Sequence, residues 1–89
     1  GFVGRAIVNG VVDRTVLDRE GTRWIVDFKT SLHTGAGLEA FLDSEAVRYR
    51  PQLRRYADLM RAFRPGEPVK AALYFPLLKA WKEVDVAEG

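Results

Sequence analysis

An 89-residue chain with 47% hydrophobic and 29% charged residues has room for one domain and one hydrophobic core, and this composition excludes disorder and a fibrous class. Fourteen Lys and Arg against twelve Asp and Glu leave a net charge of +2, too small a surplus to indicate nucleic-acid binding by composition alone. The lack of cysteine excludes disulfides, thiolate metal sites and cysteine nucleophiles and leaves oxygen donors for any metal, while short, charge-broken apolar stretches predict no membrane span and a cytoplasmic protein.

The chain opens on Gly1-Phe2-Val3-Gly4 without an initiator methionine and runs almost at once into strand-like sequence, the expectation for a piece of a longer polypeptide. Ala6 to Leu17 is rich in Val and Ile and predicts a first strand. Asp18-Arg19-Glu20-Gly21 is turn material, and Thr22 to Thr30 reads as the second strand of a hairpin. Thr30 to Gly37 has Ser, Thr and two glycines without periodicity and is read as a loop leading into helical sequence near Leu38. The helical pattern is firm from Ser44 to Phe63, with Pro51 expected in a first turn or at a kink because it cannot donate an interior hydrogen bond. Arg64-Pro65-Gly66-Glu67-Pro68 ends the helix. Val69 to Leu78 predicts a third strand and Lys79-Ala80 a tight turn. Trp81 to Val86 predicts a fourth strand with Trp81, Glu83 and Asp85 on one side. The order β-β-α-β-β gives an α/β or α+β layer with at least one main helix packed on a sheet.

A hairpin folded about Glu20 pairs residues whose numbers sum to 40, as in Asp13 with Asp27. Directly opposed strand residues have Cα atoms roughly 4.5–5.5 Å apart, and two like charges so placed are destabilising unless a cation compensates. Alternation along the strand also puts Lys29 on the face of Asp27, about 7 Å further along the chain. Such a trio could hold a divalent ion that lowers the pKa of a bound water and neutralises charge on a phosphate, with Lys29 orienting the water or steadying the anion. The spacing describes a solvated pair on an outer hairpin face equally well.

On the helix, Tyr49, Gln52, Leu53, Tyr56, Leu59, Met60 and Phe63 fall within one stripe of about 120°. An amide inside an apolar stripe needs partners, so Gln52 is read as bordering a polar site, with Tyr56 one turn later; a boundary glutamine and a core tyrosine explain the pair too. Arg50, Arg54 and Arg61, with Arg64 close by, lie on the opposite side and are read as a solvated face pointing away from that site, with no catalytic role. His33, the single histidine, is read as a plain loop residue, and Trp24 and Trp81 as sheet-packing aromatics. Gly35 and Gly37 make no phosphate-binding loop, since no Gly-Lys-Thr/Ser ending or dinucleotide fingerprint is present.

The runs Gly10-Val11-Val12-Asp13-Arg14, Trp24-Ile25-Val26-Asp27-Phe28-Lys29-Thr30 and Tyr49-Arg50-Pro51-Gln52-Leu53-Arg54-Arg55-Tyr56 resemble the motifs of the PD-(D/E)XK nuclease superfamily. Within it they look most like the RecB/AddA-type nuclease domain, over roughly Gly10 to Val86. The resemblance implies a restriction-endonuclease-like core with a mixed sheet. Asp13 and Asp27 would be metal ligands joined by the Phe28 carbonyl, and Lys29 the catalytic lysine. Gln52 and Tyr56 match the Gln-x-x-x-Tyr motif that borders the active site and contacts substrate DNA. Magnesium is the expected ion, with manganese the alternative. The resemblance further implies a nuclease core at the end of a helicase chain, ATP entering only through that absent motor, a partner subunit of a helicase-nuclease complex, and a part in double-strand-break processing.

The resemblance also implies a helix before the first strand that bears a His or Glu near the metal, and the expectation is that the chain begins too late to include it. The expectation is an open sheet face and a tendency to self-associate. Two other readings remain: a non-catalytic DNA-binding or scaffold module of the same fold, and a small protein-interaction domain with an acidic hairpin.

Overall fold

A computed structural model of the chain describes residues 14–87. The elements follow the expected order: β1 (Arg14–Leu17), β2 (Arg23–Phe28), α1 (Leu38–Phe63), β3 (Val69–Phe75), a 3-10 turn (Pro76–Leu78) and β4 (Ala80–Val84). The strands form one sheet in the order β1-β2-β3-β4. β1 and β2 are antiparallel, β2 and β3 parallel, and β3 and β4 antiparallel. Parallel neighbours cannot be joined by a tight turn, so the connection from β2 to β3 must cross over the sheet, and α1 is that crossover.

The hairpin pairs Arg14 with Val26, Thr15 with Ile25, Val16 with Trp24 and Leu17 with Arg23. All four sums equal 40, the expected register. Asp18 sets it: Oδ1 accepts the backbone N–H groups of Glu20 and Thr22, each at 2.9 Å, and Oδ2 accepts the Trp24 indole N–H at 3.0 Å. Gly21, at φ 87, supplies the left-handed step that a side chain would resist. Asp13 and the earlier part of the first predicted strand lie outside the described residues.

Helix α1 begins six residues before the firm pattern at Ser44. Gly37, at φ 86, turns the chain into it, and the Phe41 N–H donates to the Gly37 carbonyl at 2.9 Å. Pro51 lies in the helix interior, which leaves the kink and not the first turn of the two expected settings. The carbonyl it cannot reach belongs to Val47, which is 74% exposed, so water can take the place of the missing donor. The end is as expected: the Arg64 N–H closes on the Met60 carbonyl at 2.8 Å and Gly66 adopts φ 89.

The buried stripe differs from the predicted one. Leu53 and Ala57 are fully buried, whereas Leu59 and Phe63 are exposed. At 100° per residue this rotates the packed face by roughly 40° toward Ala57, and Gln52 moves from inside the stripe to its margin. The small Ala57 and the fully buried Ala71 leave room for helix and sheet to approach, with Ile25, Leu73, Phe75 and Val84 filling the layer between them.

β3 is buried on both faces, as a central strand should be, and ends at Phe75 rather than Leu78 because Pro76 has no N–H for a ladder. The tight turn is Lys79, at φ 51, and Ala80 already belongs to β4. Trp81, Glu83 and Asp85 are exposed together, as their alternation predicts. The sheet face opposite α1 carries Val16, Trp24, Phe28, Tyr74 and Trp81, and among the described residues no helix covers it. Trp24 and Trp81 meet edge to face at 5.6 Å across the small Ala72, so they pack the sheet as expected.

Candidate nuclease site

Strand alternation decides which β2 residues meet α1. Trp24, Val26 and Phe28 point to the open face, and Ile25 and Asp27 to the helix side. Asp27 is completely buried. Lys29 extends the strand by one step, its N–H donating to the Tyr74 carbonyl at 2.8 Å. This returns its side chain to the face of Asp27, where Nζ lies 3.1 Å from Asp27 Oδ2. The structure thus brings together the carboxylate and the lysine that the sequence singled out, and removes the reading in which they form a solvated pair on an outer face.

Helix α1 packs chiefly on β3 and β4 and touches β2 less, so its β2 flank overlooks Asp27 and Lys29. Tyr49 makes the connection: Lys29 Nζ stands 3.5 Å from the centre of its ring. Gln52 and Tyr56 follow on the same flank, both half-buried. The Tyr56 hydroxyl is buried without a hydrogen-bond partner among the described residues, and burial pushes its pKa up. Glu45, one turn before Tyr49, is a second buried carboxylate, 3.8 Å from the exposed Arg48 guanidinium. Sequence reasoning missed Glu45 and gave Tyr49 no part beyond packing. A charged residue one turn before an apolar position is the same anomaly that singled out Gln52.

The remaining candidates divide clearly. The Phe28 side chain is on the open face, edge to face with Tyr74 at 5.6 Å, so its ring lies on the opposite side of the sheet from the Asp27 and Lys29 side chains. Asp13 lies outside the described residues. Among those residues no three His, Cys, Asp or Glu side chains gather to hold a metal. His33 is a loop residue, its ring stacked on Phe41 at 4.8 Å and its Nε2 3.0 Å from the Ala36 carbonyl oxygen. Arg50 and Arg61 do face away from Asp27, but they are more than a solvated surface. Arg50 Nε donates to the Asp85 carbonyl at 2.7 Å and an Arg61 guanidinium N–H to the Val86 carbonyl at 2.5 Å.

The donor chemistry fits a hard divalent ion. Asp27 offers carboxylate oxygen in a buried place, and the chain has no sulfur ligand of the thiolate kind to favour a softer metal. Among the described residues no helix is long and apolar enough to cross a membrane. Neither a curated protein nor a solved structure matches the chain. A family model described as the PD-(D/E)XK nuclease superfamily matches residues 1–88, and the mixed four-stranded sheet with its single crossover helix is consistent with a restriction-endonuclease-like fold. With nearly its whole length inside that match, and an Asp-x-Lys pair where the sheet meets the helix, Asp27 buried and Lys29 half-buried, this chain belongs to the PD-(D/E)XK nuclease superfamily.

Proposed function

We propose that the chain is the core of a metal-dependent deoxyribonuclease of the RecB/AddA type, a single nuclease domain within a longer helicase-nuclease polypeptide. The observation that carries this reading is the pairing of a fully buried Asp27 with Lys29 at 3.1 Å. Charges withdrawn from water persist when they are paired or serve a metal, and a carboxylate and an ammonium at the helix-sheet junction suit phosphodiester hydrolysis. The observed register, continued by one residue, would set Asp13 opposite Asp27, and this supports the two as ligands with the Phe28 carbonyl beside them. Magnesium or manganese bound there would supply charge neutralisation at the phosphate and an acidified water.

The chain's own groups do the rest. Lys29 holds a positive charge where an attacking water or a phosphoryl oxygen must be oriented, the kind of fixed electrostatic contact that stabilises developing anionic charge. Tyr56 brings a buried hydroxyl that lacks a protein partner among the described residues, and Gln52 an amide at the margin of the packed face. Both suit hydrogen bonds to a DNA strand. The Gln52-x-x-x-Tyr56 spacing supports the RecB/AddA type, and with it a helicase motor that uses ATP, a partner subunit and a role in double-strand-break repair.

Thermal unfolding with and without manganese tests the site directly. Metal at about ten times its Kd adds about 1.4 kcal/mol to the native state, equivalent to roughly 6–10 °C for a domain of this size. The rise is expected in the parent and absent in Asp13→Ala and Asp27→Ala. In the full-length protein, Asp27→Ala and Lys29→Ala should each lower DNA cleavage by at least about a hundredfold. Undiminished cleavage by Asp27→Ala would overturn the assignment.

A further inference from the structure

We propose that Tyr49 is a positioning residue for Lys29, its ring face holding the ammonium where the reaction needs it; this rests on the nuclease reading above. Lysine has a flexible four-carbon stem, and Lys29 stands one residue beyond the end of β2, at the start of the loop that leads to α1. Among the described residues two contacts fix its tip: Asp27 Oδ2 at 3.1 Å and the Tyr49 ring centre at 3.5 Å. The second is well inside the ~6 Å over which an aromatic face attracts a cation. An Asp27 carboxylate that serves a metal has its charge shared with that metal. Tyr49 then remains the contact for which the metal does not compete.

The ring is itself well held. Tyr49 packs at the edge of the core, one turn before the fully buried Leu53, so the helix-sheet contact fixes the platform on which Lys29 rests. Arg48 also lies near this ring, but at 5.3 Å, and its guanidinium is largely exposed and paired with Glu45. The nearer and less exposed cation is Lys29.

Substitution at Tyr49 separates aromatic positioning from simple packing. In the full-length protein, Tyr49→Phe keeps the ring and should cleave DNA within about twofold of the parent, while Tyr49→Leu keeps apolar bulk and should lose about tenfold in kcat with KM, metal affinity and melting temperature unchanged. In a Lys29→Ala background, Tyr49→Leu should cost nothing more. Carbon-13-labelled lysine gives a readout without metal or substrate. The Lys29 ε-methylene protons, assigned by their loss in Lys29→Arg, should be shifted upfield by the ring in the parent and in Tyr49→Phe. An unshifted signal in the parent overturns the proposal even if Tyr49→Leu does not fold. Full activity of Tyr49→Leu beside an inactive Lys29→Ala also overturns it and leaves the nuclease reading standing. Full activity of Lys29→Ala removes the nuclease role of Lys29, and the proposal with it.

Discussion

The two flanks of α1 differ in how their polar groups are used. On the β4 flank, Arg50 and Arg61 reach the carbonyls of Asp85 and Val86, and Lys82 of β4 bonds Asp43. Each of these groups has a protein partner, and together they tie the helix to the last strand and the chain beyond it. On the β2 flank, Lys29 rests between Asp27 and the Tyr49 ring, and the Tyr56 hydroxyl is buried with no partner among the described residues. Buried polar groups are ordinarily satisfied, so the Tyr56 hydroxyl beside the buried Asp27 and half-buried Lys29 supports the proposed site, although Arg54 Nε on the other side of the helix is also buried without a hydrogen-bond partner among the described residues. One flank is architecture, and the other is where the proposed chemistry would take place.

The largest perturbation strikes both flanks together. Leu53 lies between them, fully buried against the sheet, and Leu53→Ala should lower stability by about 3 kcal/mol through lost transfer energy and the cavity left behind. Urea unfolding would measure it, and a loss below about 1 kcal/mol would mean that this contact is not what fixes the helix on the sheet. The next perturbation separates the flanks. Arg50→Ala or Arg61→Ala removes a side-chain bond to a main-chain carbonyl and should lower stability by about 1 kcal/mol while leaving DNA affinity unchanged. Gln52→Ala should do the reverse, leaving stability within about 0.5 kcal/mol and weakening DNA binding about five- to tenfold. Equal effects of Arg50→Ala and Gln52→Ala on binding would erase the distinction.

What the sequence made legible follows the same division. Alternation and turn chemistry set the hairpin register correctly, because Asp18 and Gly21 specify the turn locally and a slip by one residue would invert every side chain. The Asp27–Lys29 pair was legible for that reason. The helix was harder to read: Ala46 and Ala57 carry little hydrophobic signal, yet Ala57 is fully buried, while the larger Leu59 and Phe63 drew the predicted stripe toward solvent. Tyr49 was visible only as an apolar position. Its place over Lys29 depends on how helix and sheet dock, which no pattern within a single element encodes. The partners of Arg50 and Arg61 are main-chain carbonyls about 25 or more residues away, and a main-chain carbonyl has no sequence signature.

The smallest effect tests whether the chemical flank depends on the hairpin that aims Asp27. The Asp18 carboxyl is held below the usual carboxylate range, first by the Thr22 backbone N–H and then by the Trp24 indole. A carboxylate with a depressed folded-state pKa adds stability that is fully present above its unfolded value, about 3.9, and is lost as pH falls through the folded value. Asp18→Asn keeps one acceptor for the turn but no titrating charge. The parent should therefore be the more stable of the two near neutral pH, with the difference shrinking once the pH falls below about 4. Unfolding midpoints measured for both proteins from neutral to strongly acid pH would show the two curves converging. Parallel curves would mean that the Asp18 bonds form equally well with a neutral side chain, and that the charge itself adds nothing to the turn that sets the register turning Asp27 toward α1.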